Sequence, residues 1–260
     1  MTTTAQHHDL DLSPVRPGPI RRALDRVARW LEPSESLEPI LEEQFNRLRH
    51  AILFNPRLTD CRSILVTSAI DGEGKSTVST GLARSFARSL DHSALIVETD
   101  LRKPRMAELF ELPPGPGLIG HIVDQVPLAE AVQETPIPKL SVLAAGGRLD
   151  AAANLVGSSY MRTFAKNVHA SFPDRIVIYD APPVLATPEP LSLSLVVDGI
   201  ILVVGAESTP RELVRQALRS LPADKLLGIV FNRVLLSKRE RRYLGSYYSG
   251  RAVRTEGANG

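Results

Sequence analysis

The chain has 260 residues, 43% of them hydrophobic and 23% charged, with a formal net charge of +2 and a single cysteine. That balance suits one sizeable α/β core with tails and argues against general nucleic-acid binding. The lone Cys61 excludes an internal disulfide framework and a multi-cysteine zinc or iron–sulfur site in one chain, and the six histidines show no ligand-like spacing apart from His7 and His8.

Met1 to Pro19 is polar and Pro-containing and lacks the continuous apolar stretch of a secretory signal. Ile20 to Leu31 places Leu24, Val27, Ala28 and Leu31 at helical spacing among Arg21, Arg22, Arg26 and Arg29. This predicts a short basic amphipathic helix that lies on an anionic membrane surface, docks on a partner or packs on its own domain. A second helix is expected over Leu37 to Phe54, where Glu43 and Arg47 form a favourable i,i+4 pair. The longest apolar candidate, Leu191 to Val204, is broken by Ser192, Ser194, Asp198 and Gly199, so no transmembrane segment is expected and the expected location is the cytoplasm.

From Ser63 onward, short β-branched runs alternate with helical stretches: Ile64 to Thr67, Ala94 to Val97, Leu140 to Leu143, Arg175 to Tyr179, Gly199 to Val204 and Leu227 to Phe231. The runs are nearly continuous in apolar residues, as strands covered on both faces require. They predict an α/β fold with a doubly wound, mainly parallel sheet and a nucleotide at the carboxyl ends of its strands. The expected organisation is an amino-terminal segment over 1–36, a phosphate-binding domain over 37–236, and a basic Gly/Ser-rich tail over 237–260.

The most specific motif is Ala69 to Thr77, Ala-Ile-Asp-Gly-Glu-Gly-Lys-Ser-Thr, lying between the first strand run and a helix that starts at Lys75. Glycines in such a loop let backbone N–H groups converge on phosphate oxygens, and the following helix turns its positive end to the same anion. Asp71, Gly72, Glu73, Gly74, Lys75, Ser76 and Thr77 are the expected nucleotide-binding residues. Lys75 reaches the outer phosphates, and the Ser76 hydroxyl is a ligand for Mg²⁺. ATP and Mg²⁺ are therefore the expected ligands. Two further strand runs end in acids, at Glu98-Thr99-Asp100-Leu101-Arg102 and at Asp180-Ala181-Pro182-Pro183. Acids at those ends project toward the phosphates, where Glu98, Asp100 and Asp180 can hold Mg²⁺ or orient an attacking hydroxyl. Asn232, at the end of the last run, either reads an adenine edge through its paired donor and acceptor or simply forms a turn.

Together these residues resemble the bacterial tyrosine kinase family of capsular and exopolysaccharide production, over about Leu37 to Val234. Ser68 to Thr77 is similar to its Walker A motif, Leu95 to Pro104 to its second Walker motif, with Arg102-Lys103-Pro104 retained, and Ile176 to Pro183 to its Walker B motif. Thr209-Pro210-Arg211-Glu212 and Leu227 to Arg233 also look like family segments, and Glu189 is similar to the branch encoded beside exosortase systems. The resemblance implies a P-loop fold and phosphate transfer from Mg·ATP to tyrosines of the tail. It also implies homo-oligomerisation and activation by a membrane-embedded polysaccharide co-polymerase at the inner face of the cell membrane. Lys75, Glu98, Asp100 and Asp180 are the implied catalytic residues, with Arg102 at the nucleotide. Tyr243, Tyr247 and Tyr248, three of five tyrosines, are the implied phosphoacceptors beside Lys238, Arg239, Arg241 and Arg242. Glu98 stands where the family has Asp, and the family's ring-forming helix, a Glu and two Arg three residues apart, reads Glu43, Asn46 and Arg49 here. Two other functions fit the same motifs. One is a partitioning-type ATPase switch, disfavoured because Ile70 occupies the place of that group's additional lysine; the other is a scaffold that has lost phosphoryl transfer.

Overall fold

The computed structural model describes residues 38–55, 61–149 and 158–235. The elements are α1 (Glu38–Leu53), β1 (Ser63–Ser68), α2 (Lys75–Ala87), β2 (Ser93–Glu98), α3 (Met106–Leu109), α4 (Gly117–Val123), α5 (Leu128–Ala131), β3 (Gln133–Glu134), β4 (Leu140–Leu143), α6 (Ser158–Ser171), β5 (Arg175–Asp180), α7 (Glu189–Ser194), β6 (Gly199–Gly205), α8 (Arg211–Ser220) and β7 (Leu226–Asn232). The strands form one sheet in the order β3-β4-β2-β5-β1-β6-β7. Every pairing is parallel except β3 with β4. All six expected strand runs are strands. The seventh, β3, is a two-residue polar edge element with no apolar pattern to reveal it. The expected helix over Ile20 to Leu31 and the tail with Tyr243, Tyr247 and Tyr248 lie outside the described residues.

Alternation along each strand explains why the runs read as continuously apolar. Leu65, Leu95, Val97, Val177, Tyr179, Ile200 and Leu202 turn to one face and pack with Met161, Phe164 and Val168 of α6, Leu193 of α7 and Ala217 of α8. Ile64, Val66, Ala94, Ile96, Ile176, Ile178, Ile201 and Val203 turn to the other and meet Ile52 of α1, Val78, Leu82 and Phe86 of α2, and Met106 of α3. Each fully buried Leu, Ile or Phe contributes ~1.5–3 kcal/mol of transfer free energy, which makes the doubly covered sheet the dominant stabilising element. On the second face α1 crosses α2 closely because Gly81 has no side chain: a Cβ there would lie 2.2 Å from the Phe45 ring. Among the described residues no helix is long and apolar enough to cross a membrane.

Parallel pairing aligns the strand ends that matter. Glu98 is the register partner of Asp180, and Gly205 that of Asn232. The acids of β2 and β5 and the amide of β7 thus stand on the same edge as the loop that follows β1.

Candidate active site

The loop between β1 and α2 turns through two left-handed glycines, Gly72 at φ 79° and Gly74 at φ 91°. At these angles a β-carbon is strained, so glycine at both positions is what allows the loop to curl ahead of the helix. At Gly74 there is also no room: a Cβ would lie 2.0 Å from the Asn232 amide nitrogen. That amide donates to the Glu73 carbonyl at 2.9 Å, so Asn232 fastens the last strand to the loop. The Glu73 side chain fastens it a second time. One of its oxygens accepts from the Ile70 N–H at 2.9 Å, and the other accepts from the Gly205 N–H at 3.0 Å and from the Thr209 hydroxyl. Sequence reasoning placed Glu73 among the nucleotide-binding residues by position alone. In the structure its buried carboxylate holds the loop's shape.

Lys75 opens α2 and is 6% exposed, its ammonium 3.9 Å from Asp71. Ser76, one residue on, donates from its hydroxyl to Asp180 Oδ2 at 2.8 Å. Ser79, one turn further along the same helix face, donates to Asp180 Oδ1 at 2.8 Å. The motif did not point to Ser79, although its i+3 spacing from Ser76 put it on that face. Burial pushes the Asp180 carboxyl up to about 6. The two hydroxyls and the Lys75 charge pull in the other direction, and the Asp100 charge adds to the rise. Thr77 lies in the same first turn of α2.

Glu98 is 1% exposed, and its carboxylate is surrounded by main chain. One oxygen accepts from the N–H groups of Arg105 and Met106, the latter at 2.8 Å, and the other from the N–H of Ala145 at 2.9 Å. The side chain thereby holds the start of α3 and the segment after β4 against the end of β2. Burial pushes its carboxyl up to about 7 against those three donors, with the Asp180 charge reinforcing the rise. The neighbouring Thr99 ties the two strand ends together, donating from its N–H and its hydroxyl to the Asp180 carbonyl at 2.9 and 3.0 Å. Asp100, half-buried, accepts the Lys103 N–H at 3.1 Å. Arg102 pairs with the buried Glu189, 3.7 Å distant.

The structure thus brings Asp71 through Thr77, Glu98, Asp100, Arg102, Asp180 and Asn232 to one edge of the sheet. Of the three acids, Asp180 is held by side-chain hydroxyls, Glu98 by backbone N–H groups, and Asp100 by one loop N–H. Of the two described tyrosines, Tyr179 is fully buried, with burial raising its hydroxyl pKa, and Tyr160 is half-buried and stacks on Phe164 with ring centroids 6.3 Å apart.

Comparison with known proteins follows the same lines. The chain is 34% identical over 207 residues to the tyrosine-protein kinase YwqD of Bacillus subtilis, covering 78% of this chain and 86% of the relative. It is 28% identical over 194 residues to the succinoglycan biosynthesis transport protein ExoP of Rhizobium meliloti, where the match takes up 73% of this chain but 24% of that longer protein. Among solved structures, the chimeric protein CapA2B2 superposes with a TM-score of 0.70 at 27% identity, covering 82% of this chain and 91% of that one. No protein-family model matches the chain.

Proposed function

This chain belongs to the bacterial tyrosine kinase family of capsule and exopolysaccharide biosynthesis, and we propose that it transfers the γ-phosphoryl group of ATP to tyrosines of its own carboxyl-terminal segment. The observation that carries this reading is the junction of β1, α2 and β5. There a loop with two left-handed glycines leads into a helix whose first two residues are a buried lysine and a serine hydrogen-bonded to a strand-end carboxylate. The Ser76 hydroxyl and the Asp180 carboxylate are hard oxygen donors, the chemistry Mg²⁺ selects. Among the described residues no cluster of three or more His, Cys, Asp or Glu forms an all-protein metal site, so phosphate oxygens and water would complete the shell. When bound, the ion would neutralise charge on the phosphates.

In this scheme the loop amides and the amino end of α2 orient the phosphates, and Lys75 meets the charge that develops on them. A tyrosine hydroxyl attacks the γ-phosphorus, the bond to the β-phosphate oxygen breaks, ADP leaves, and the phenolic proton passes to a carboxylate. Asp100 fits that last role better than Glu98, because both Glu98 oxygens already accept backbone N–H groups. Tyr243, Tyr247 and Tyr248 are the proposed acceptors, supported by the burial of Tyr179 and the stacking of Tyr160. We take the activator to be a membrane polysaccharide co-polymerase that brings the chain to the inner face of the membrane. Support comes from ExoP, a transport protein in which the matching segment is only one part of a longer chain. Self-association of the kinase belongs to the same proposal.

The test is incubation of the full chain with Mg·ATP, with and without the partner's cytoplasmic segment, followed by phosphosite mapping. Phosphotyrosine confined to Tyr243, Tyr247 and Tyr248, stimulated by the partner segment and absent from a folded Lys75→Met variant, is the expected result. Unchanged phosphorylation in Lys75→Met, or modification centred on Tyr160 or Tyr179, contradicts it.

A further inference from the structure

Asp71, in the phosphate loop, gathers two hydrogen-bond donors and a second ammonium group that the motif does not explain. Its Oδ1 accepts the Gly72 N–H at 2.9 Å and lies 3.9 Å from the Lys75 ammonium, and its Oδ2 accepts from the Lys103 ammonium. A loop amide and two ammonium groups around one anion are the donors that a phosphate oxygen takes in such a loop. Lys103 arrives from a different strand, the segment that follows β2. Its backbone is fixed there by the Asp100 carboxylate at 3.1 Å, and the preceding Arg102 pairs instead with Glu189. The two lysines differ in depth: the side chain of Lys75 is 7% exposed, whereas the side chains of Lys103 and Asp71 are 62% and 55% exposed. Two ammonium groups thus converge on the single carboxylate of Asp71.

We propose that Lys103 is a second phosphate-binding lysine, parked on Asp71 until the outermost phosphate of a nucleoside triphosphate takes the place of that carboxylate. The inference deepens the kinase reading and rests on its assignment of the loop to ATP. Lys75, buried at the helix start, meets phosphates from below, and Lys103 closes over them from the solvent side. Lys103 therefore reads the presence of a third phosphate, which a diphosphate does not extend far enough to offer. Asp71 acts as a counter-ion that keeps the lysine over the loop and competes with the nucleotide for it.

The experiment is equilibrium binding of AMP-PNP and of ADP, each with Mg²⁺, to the full chain and to Lys103→Met, Lys103→Arg, Asp71→Asn and the Lys103→Met/Asp71→Asn double variant. Lys103→Met is expected to weaken AMP-PNP by about tenfold or more, the scale of one charge-assisted hydrogen bond, while ADP changes by less than about threefold. Lys103→Arg keeps most of the triphosphate preference, Asp71→Asn binds AMP-PNP at least as tightly as the parent chain, and the double variant is as weak as Lys103→Met. Equal AMP-PNP and ADP losses in Lys103→Met, no loss at all, or an Asp71→Asn variant as weak as Lys103→Met each overturn the proposal, the last by showing that the pair merely latches two loops. If the parent chain binds AMP-PNP and ADP but Lys103 is silent, only this inference falls. If it binds neither, the ATP assignment falls with it.

Discussion

The ends of β5 and β2 face each other in register, Asp180 beside Glu98, both almost fully buried, and the two carboxylates are held in opposite ways. Asp180 is held by the hydroxyls of Ser76 and Ser79, which rotate and can pass their lone pairs to a cation. Glu98 is held by the backbone N–H groups of Arg105, Met106 and Ala145, which are fixed by the chain and have no second use. A carboxylate among hydroxyls is equipped for chemistry that changes with the ligand. One among main-chain amides is equipped to keep segments in place. On the proposed kinase reading, the same residue class one strand apart divides into a working acid and a positioning acid, and Asp100, on the loop beyond Glu98, takes the second chemical role.

The comparison can be broken at its larger end first. Asp180→Asn removes the charge beside Ser76 while keeping shape, and transfer should fall by about 10²- to 10³-fold, the scale of losing one electrostatic stabiliser of a transition state. Rapid-quench rates check this, and a loss below threefold would place the working acid elsewhere. Glu98→Gln should instead act on stability and its pH dependence. Glu98 and Asp180 both hold a proton more tightly folded than unfolded, up to about 7 and about 6 against ordinary values near 4. The folded state therefore binds more protons across that window, and stability falls as pH rises through it. Thermal unfolding of Glu98→Gln should show a flatter decline between about pH 5 and 8. At the acidic end the variant should be less stable than the parent by ~1–3 kcal/mol, because its amide nitrogen faces a backbone N–H left without an acceptor. The gap should narrow toward pH 8. The smallest effect is expected at Ser79→Ala, which removes one of the two hydroxyls on Asp180 and leaves Ser76 in place. A loss of ~1 kcal/mol in chemical denaturation with transfer reduced less than tenfold is predicted.

Much of this was legible in the sequence because it depends on local pattern. The six long strands announce themselves as apolar runs covered on both faces, and the loop over Ala69 to Thr77 declares its glycines, lysine and serine in order. The two-residue β3 has no such pattern and exists because β4 offers it an edge. What the sequence could not show is which acid faces which donor. Glu98 takes its hydrogen bonds from residues up to 47 positions away, and Glu73 reaches Gly205 and Thr209 more than 130 positions on. Those pairings follow from the parallel crossovers and not from any spacing along the chain. Asn46, which stands where the family's ring-forming helix has an Arg, and Arg49, which keeps that helix's pattern, share a partner on α2 that no spacing along the chain reveals. Asn46 accepts the Ser85 hydroxyl at 2.8 Å and Arg49 donates to the Ser85 carbonyl, so both already join α1 to α2.

Single-turnover transfer by Asp100→Asn and Glu98→Gln, measured side by side at saturating Mg·ATP with the partner segment present, tests the division of labour most directly. The account predicts that Asp100→Asn keeps parental stability and ATP affinity but loses transfer by about 10²- to 10⁴-fold, as removal of a proton acceptor does, while Glu98→Gln loses stability and retains transfer within about tenfold. An Asp100→Asn variant at the parental rate beside a stable Glu98→Gln variant with no transfer would reverse the two roles and contradict the account.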